Sequence, residues 1–193
     1  MDIIKMIRNA VMTMLVLTVL TGIIYPLAIT GIAQVIFPAR ANGSIIMKAG
    51  KPAGSVLIGQ QFDGPEYFWS RPSATAPYPY NGGSSSGSNL GPNNPALMNN
   101  VKARVAALHA ADPGNKAPIP VDLVTSSGSG LDPAISPSAA LYQAGRVARA
   151  RGLDETKVRA LIEANTKGRF LGIFGEPTVN VLKLNLALDE MQK

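Results

Sequence analysis

Residues Gly83-Ser84-Ser85-Ser86-Gly87 fit G-x-S-x-G, the pattern in which a serine on a strained strand-to-helix turn attacks a carbonyl beside an oxyanion hole. That chemistry needs a buried apolar strand ahead of the turn, and a base. The residues before Ser85 are Pro77-Tyr78-Pro79-Tyr80-Asn81, which cannot form a central strand. The single histidine is His109, and no Asp or Glu lies between it and Ser85, so the Ser…Asp/Glu…His order is missing. Gly, Ser and Asn make up nearly all of Asn81–Asn94, and such a tract matches a degenerate pattern by chance. Ser85 is not expected to be a nucleophile.

Other chemistries fare no better. One histidine, no cysteine and no cluster of close carboxylates exclude the common zinc spacings; Asp63/Glu66 and Asp154/Glu155 read as loop or cap positions. The P-loop pattern G-x-x-x-x-G-K-[ST] is not matched. Ser126–Gly130, ahead of an expected helix, could offer backbone N–H groups to an anion, although a plain strand-to-helix connection explains it more simply. No catalytic residue, metal or firmly bound cofactor is expected.

The elements around these residues divide the chain in two. Between Arg8 and Arg40 there is no charged side chain, and Ala10–Pro38 is almost wholly apolar. As a helix this run would reach roughly 43 Å, more than the ~30 Å of a bilayer core, so a tilted or kinked span fits, with Pro26 at the kink. Lys5 and Arg8 before it, and Ala39-Arg40-Ala41 after it, resemble a cleavable signal, but the run is about twice as long as the ~7–15 residues of such signals. The reading is an uncleaved signal anchor: residues 1–9 a short cytoplasmic tail, 10–38 the transmembrane helix, 39–193 one soluble domain. Basic residues flank both ends almost equally, but a long C-terminal domain translocates largely regardless of charge. The domain is therefore expected outside the cytoplasm. The net charge of +6 is scattered, which argues against nucleic acid. The densest basic group, Arg146, Arg149 and Arg151, reads as a solvated face near a helix end.

Within 39–193 the pattern is α+β. Gly54–Phe62 and Ile119–Thr125 read as strands. A helix is expected from Asn94-Pro95, with Leu97, Val101, Val105 and Leu108 on one face, ending near Asp112-Pro113-Gly114. A second opens at Ser136-Pro137 and stops at Gly152, and Asp154 caps a third. Phe170–Gly175 reads as an apolar turn region. Val179–Met191 alternates like a strand, yet Asn180 as N-cap favours a helix. A plain linker would not carry Tyr67, Phe68, Trp69, Arg71, Tyr78 and Tyr80 at the entrance to the Gly/Ser/Asn tract. That composition implies an ordered loop, packed either on the domain's own core or on a partner; the interface candidates are Trp69, Arg71, Tyr80, Asn81, Asn89 and Asn94.

Tyr67–Thr75 (YFWSRPSAT), Ser88–Pro95 (SNLGPNNP), Val121–Pro137 (VDLVTSSGSGLDPAISP), Tyr142–Gly152 (YQAGRVARARG) and Val179–Asp189 (VNVLKLNLALD) together resemble the C subunit of Kdp-type potassium-transporting ATPases. The resemblance covers nearly the whole chain, including the single span followed by Asn42-Gly43-Ser44. It implies a non-catalytic subunit of a bacterial inner-membrane complex. Its partners would be a channel-like A subunit that selects potassium, a P-type ATPase B subunit that hydrolyses ATP, a small F subunit and membrane lipid. It also implies a role in assembly and as a catalytic chaperone that raises the B subunit's ATP affinity, with Gln143 matching the position of a nucleotide contact. A domain outside the cytoplasm cannot touch cytoplasmic ATP, so any such effect would pass through the membrane subunits. The alternative is a direct nucleotide-binding module with its domain inside. Where family members often carry a histidine after the Asp-Pro of the second Gly/Ser turn, this chain has Ala134.

Overall fold

The computed structural model describes residues 2–192, which divide after Ile45 into two compact units.

The first unit is a helix that begins at Ile3 and so takes in part of the stretch read as a tail. It runs as α1 (Ile3–Val19), a π-turn (Leu20–Ile24) and α2 (Tyr25–Ile36), followed by the short α3 (Pro38–Ala41). The break precedes Pro26 rather than sitting on it. Proline has no N–H to give the carbonyl four residues back and its ring crowds that carbonyl; the wider turn, in which Tyr25 N–H donates to Leu20 O, accommodates both. Ile3–Ile36 is long and apolar enough to cross a membrane, and its side chains are exposed along its length.

The second unit is α+β. Its first element is a hairpin of β1 (Ile45–Lys48) and β2 (Lys51–Ser55), turned by Ala49 and Gly50 at φ 49° and 75°, the left-handed pair that a two-residue hairpin requires. The expected strand Gly54–Phe62 does not form. β2 ends where it was to begin, because the Ser55 hydroxyl captures the Leu57 N–H (3.1 Å) and bends the chain. Gln60 then folds back to donate to Ala53 O (3.0 Å), filling the space where a side chain on Gly54 would stand.

From Val56 to Asn94 the chain is irregular but ordered. Its polar side chains replace a ladder: Ser73 Oγ accepts from Tyr80 N–H (2.9 Å) and donates to Gly130 O (2.7 Å), while Thr75 Oγ accepts from Asn81 N–H (3.0 Å). The Ala76–Pro77 bond is cis. Next comes α4 (Pro95–Ala111), with Pro95 at its first turn, the Asn94 side chain accepting from Ala96 N–H and Asp112 at its end, as the sequence predicts.

Ile119–Thr125 is not a strand either. Leu123 N–H bonds to Pro120 O in a single 3-10 turn (Val121–Leu123), which Pro120 favours by its fixed φ. The turn aims Asp122 at the backbone N–H of Ser136 (2.6 Å).

The remaining elements enclose the core. They are β3 (Ala134–Ile135), α5 (Pro137–Arg151), α6 (Glu155–Ala164), β4 (Thr166–Lys167), β5 (Thr178–Asn180) and α7 (Val181–Glu190). The strands make an antiparallel sheet in the order β3-β5-β4, with Ile135 and Thr166 both opposite Val179. Helix α5 buries Ala139, Ala140, Ala144, Val147 and Ala148, a face small enough to be approached from several sides. It stops at Gly152, φ 65°, as expected. Asp154 caps α6, and Asn180 caps α7 by accepting from Lys183 N–H (3.0 Å). The ambiguous Val179–Met191 resolves into a short strand running directly into a helix. Leu184 and Leu188 join Phe68, Leu108, Leu123, Val158 and Val179 in one core.

Candidate functional site

The aromatic segment at the entrance of the Gly/Ser/Asn tract is held by two amides. On the buried face of α5, Gln143 Oε1 accepts from Trp69 N–H (2.8 Å) and its Nε2 donates to Trp69 O (3.2 Å) and Ala139 O (3.2 Å). On the buried face of α7, Asn185 does the same for the neighbouring residue: Phe68 N–H donates to its Oδ1 (2.9 Å) and its Nδ2 donates to Phe68 O (3.0 Å). Each amide acts as a one-residue strand. Together they satisfy a buried backbone that has no sheet partner, which would otherwise cost ~1–3 kcal/mol per unpaired group.

Arginines complete the clamp. Trp69 is 7% exposed, with Arg104 and Arg146 guanidinium carbons 5.1 and 4.7 Å from its ring centroid. Arg146 also donates to Pro65 O, Tyr67 O and Gln143 Oε1, and burial holds its pKa down to about 10. Arg151 stacks on Tyr67, donates to Glu66 O and pairs with Asp189 at 2.8 Å. The reading of Arg146, Arg149 and Arg151 as a solvated face therefore holds only for Arg149, which is exposed and bonded to Asp112. The other two are turned inward, because the carbonyls of residues 64–67 need donors.

The remaining interface candidates sit nearer the surface. Arg71 pairs with Asp132 (3.0 Å), and the Tyr80 hydroxyl donates to Arg71 O. Burial pushes the Tyr80 pKa up. Beside them lies a cleft of about 140 Å³ lined by Gln61, Asp63, Arg71, Pro79, Tyr80 and Arg104. Asn81 is half-buried and donates to Ala76 O (2.9 Å); Asn89, at φ 51°, and Asn94 are exposed. The structure thus brings Arg71 and Tyr80 together, with Asn81 next to Tyr80 in the chain, while Trp69 is buried in the domain's own core.

The two Gly/Ser tracts meet. Ser86 N–H donates to Ser129 O (3.0 Å) and the Ser85 hydroxyl to the same carbonyl (3.1 Å). Gly130, at φ 67°, lies where a β-carbon would stand 2.5 Å from Ser86 O. In the second tract, Gly130 N–H and Leu131 N–H donate to the hydroxyls of Ser127 and Ser129, and Ala134 N–H to Asp132. The N-terminus of α5 already has an anion, the Asp122 carboxylate. Among the described residues no group of His, Cys, Asp or Glu could hold a metal ion. Sequence reasoning missed Asn185 and Arg104; an Asn among Leu182, Leu184 and Leu188 at the spacing of a buried face was the available signal.

Residues 7–190 match the family model KdpC, described as the K+-transporting ATPase, c chain. The chain belongs to the KdpC family. It is similar to the potassium-transporting ATPase KdpC subunit of Polaromonas naphthalenivorans, 61% identical over 188 residues, 97% of this chain and 96% of that one. The subunit of Sorangium cellulosum is 63% identical over 182 residues, covering 94% and 96%. That of Dechloromonas aromatica is 60% identical over 188, covering 97% and 98%. As a KdpC chain it is a subunit of a potassium-transporting ATPase, with one helix among the described residues long and apolar enough to cross a membrane.

Proposed function

We propose that this chain is the accessory subunit of an ATP-driven potassium-uptake complex in a bacterial inner membrane. Ile3–Ile36 anchors it as a single span, and the domain lies on the extracytoplasmic side against the channel-like A and P-type B subunits, with a small F subunit and lipid as further neighbours. It assembles the complex and raises the B subunit's affinity for ATP without touching the nucleotide, by favouring the conformation of the membrane subunits that binds ATP well. The observation that carries this reading is the family match over residues 7–190. The surface around Arg71 and Tyr80, with Asn81 next to them in the chain, is the one proposed to meet a partner.

The alternative, a nucleotide-binding module with a cytoplasmic domain, needs the Gln143 amide to leave Trp69, Ala139 and Arg146. Gln143 is 1% exposed, which favours a role inside the domain. A single cysteine at Ser85 in this cysteine-free chain tests sidedness. Labelling by a membrane-impermeant maleimide in cells with an intact inner membrane and a permeabilised outer one is the expected result. Labelling only after the inner membrane is opened would place the domain inside and revive the nucleotide contact.

A further inference from the structure

The hairpin between β4 and β5 carries four large apolar side chains in the open: Phe170 is 67% exposed, Leu171 73%, Ile173 72% and Phe174 62%. A folded domain does not leave such a group at one tip without a use for it, since contiguous exposed apolar surface marks an interaction site. The tip is not slack. Phe170 N–H donates to Phe174 O (2.8 Å) and Phe174 N–H to Phe170 O (2.9 Å), while Ile173 N–H bonds to Phe170 O and Gly172 N–H to Arg169 O. Leu171 and Gly172, at φ 53° and 74°, close the turn so that the side chains splay outward. Its root is the central strand of the sheet, where Val179 is fully buried.

We propose that this tip inserts into the lipid bilayer, a second and shallow membrane contact beside the span. The inference rests on the reading of Ile3–Ile36 as a membrane span. Three features favour lipid over a protein partner. The turn satisfies most of its own N–H groups, so the tip can enter an apolar medium with few unpaired donors. Phe170–Phe174 offers only carbon, with no polar side chain to register against a protein, whereas protein interfaces carry about one hydrogen bond per 100–200 Å². Finally, residues 37–45 could extend at most about 32 Å at ~3.5 Å per residue, and α3 shortens that reach, so the chain that carries the tip is tethered to the span. At the root Lys167 is exposed and suits anionic headgroups, whereas the Arg169 charge is met by the Glu176 carboxylate at 2.8 Å.

The test uses the full chain in nanodiscs of phosphatidylethanolamine and phosphatidylglycerol, with an environment-sensitive fluorophore on a single cysteine at Ile173. Parallel samples carry it at Ile29 within the apolar helix and at Ser84 in the Gly/Ser tract. The expected result is blue-shifted emission and quenching by acyl-chain nitroxides at Ile173 and Ile29, with Ser84 quenched by aqueous iodide. Nitroxide quenching at Ile29 with water-like emission and iodide quenching at Ile173 would overturn the proposal alone. Water-like emission at Ile29 as well would overturn the span on which it rests. Shielding of Ile173 from iodide only when the partner subunits are added, still without nitroxide quenching, would mean that a protein covers the tip and would also overturn it.

Discussion

The side-chain amide of Gln143 grips the backbone of Trp69 at both ends, accepting its N–H at 2.8 Å and donating to its carbonyl at 3.2 Å. Asn185 grips Phe68 in the same way, so the two core helices hold consecutive residues of one irregular segment. The surface that presents Arg71, Tyr80 and Asn81 begins only two residues beyond this double clamp. Helices α5 and α7 thus fix the start of this segment, while Ser73, Thr75, Gly130 and Asp132 hold the residues beyond it.

Truncating Gln143 to Ala leaves the Trp69 N–H and carbonyl buried and unpaired. The full chain in detergent should lose about 2–4 kcal/mol of stability, read by thermal unfolding through the fluorescence of Trp69, the sole tryptophan. Asn185→Ala should cost a similar amount. The double variant should lose less than the sum, because once one amide releases the segment the other has less to hold. Strict additivity would show that the two grips are independent.

Arg146 is inserted among the carbonyls of Pro65 and Tyr67 and the face of Trp69. Lysine keeps the charge but has neither the planar fork nor the stacking face, so Arg146→Lys should destabilise by roughly 2–3 kcal/mol and red-shift Trp69 emission. Arg149→Lys, at an exposed position, should change unfolding by less than about 1 kcal/mol.

Contact between the two Gly/Ser tracts predicts a contrast. Gly130→Ala places a β-carbon 2.5 Å from Ser86 O at a positive φ, and should destabilise by roughly 1–3 kcal/mol. Gly128→Ala meets nothing within 4 Å and should be nearly silent. Equal effects would mean that the tracts do not pack.

Asp189 loses hydration by partial burial, which raises its pKa, but the bonds to Lys48 and Arg151 outweigh this and hold it below the usual carboxylate range. A depressed folded-state pKa gives stability that is present above the unfolded value near 3.9 and lost as pH falls through the folded one. Acid unfolding below about pH 4 should therefore be steeper in the parent chain than in Asp189→Asn.

How far the sequence reveals all this depends on the range of the interaction. Helices α4, α5 and α6 are legible because proline, an N-capping Asn, Ser or Asp and a C-terminal Gly act locally. The expected strand at Gly54–Phe62 failed because the Ser55 hydroxyl captured the Leu57 N–H, and that at Ile119–Thr125 because the chain closes a 3-10 turn on Pro120 O; apolar alternation registers neither. Gln143 stands out in the sequence only by resemblance, as a nucleotide contact. Its bonds join residues 74 apart in the chain, and nothing local announces them. The same holds for Arg146, whose helical spacing near a helix end reads as surface until the carbonyls of residues 65–67 are placed beside it.

The central claim is that this chain acts on the ATPase from a distance, as an accessory subunit. The most direct measurement is the ATP concentration giving half-maximal hydrolysis by the partner subunits, purified with and without this chain, and with Gln143→Ala where that variant assembles. The expected result is no hydrolysis by this chain alone, and a lower half-saturating ATP concentration when it is present. Assembled Gln143→Ala should keep that effect. An unchanged ATP dependence on adding the chain, or hydrolysis by the chain alone, would contradict the claim.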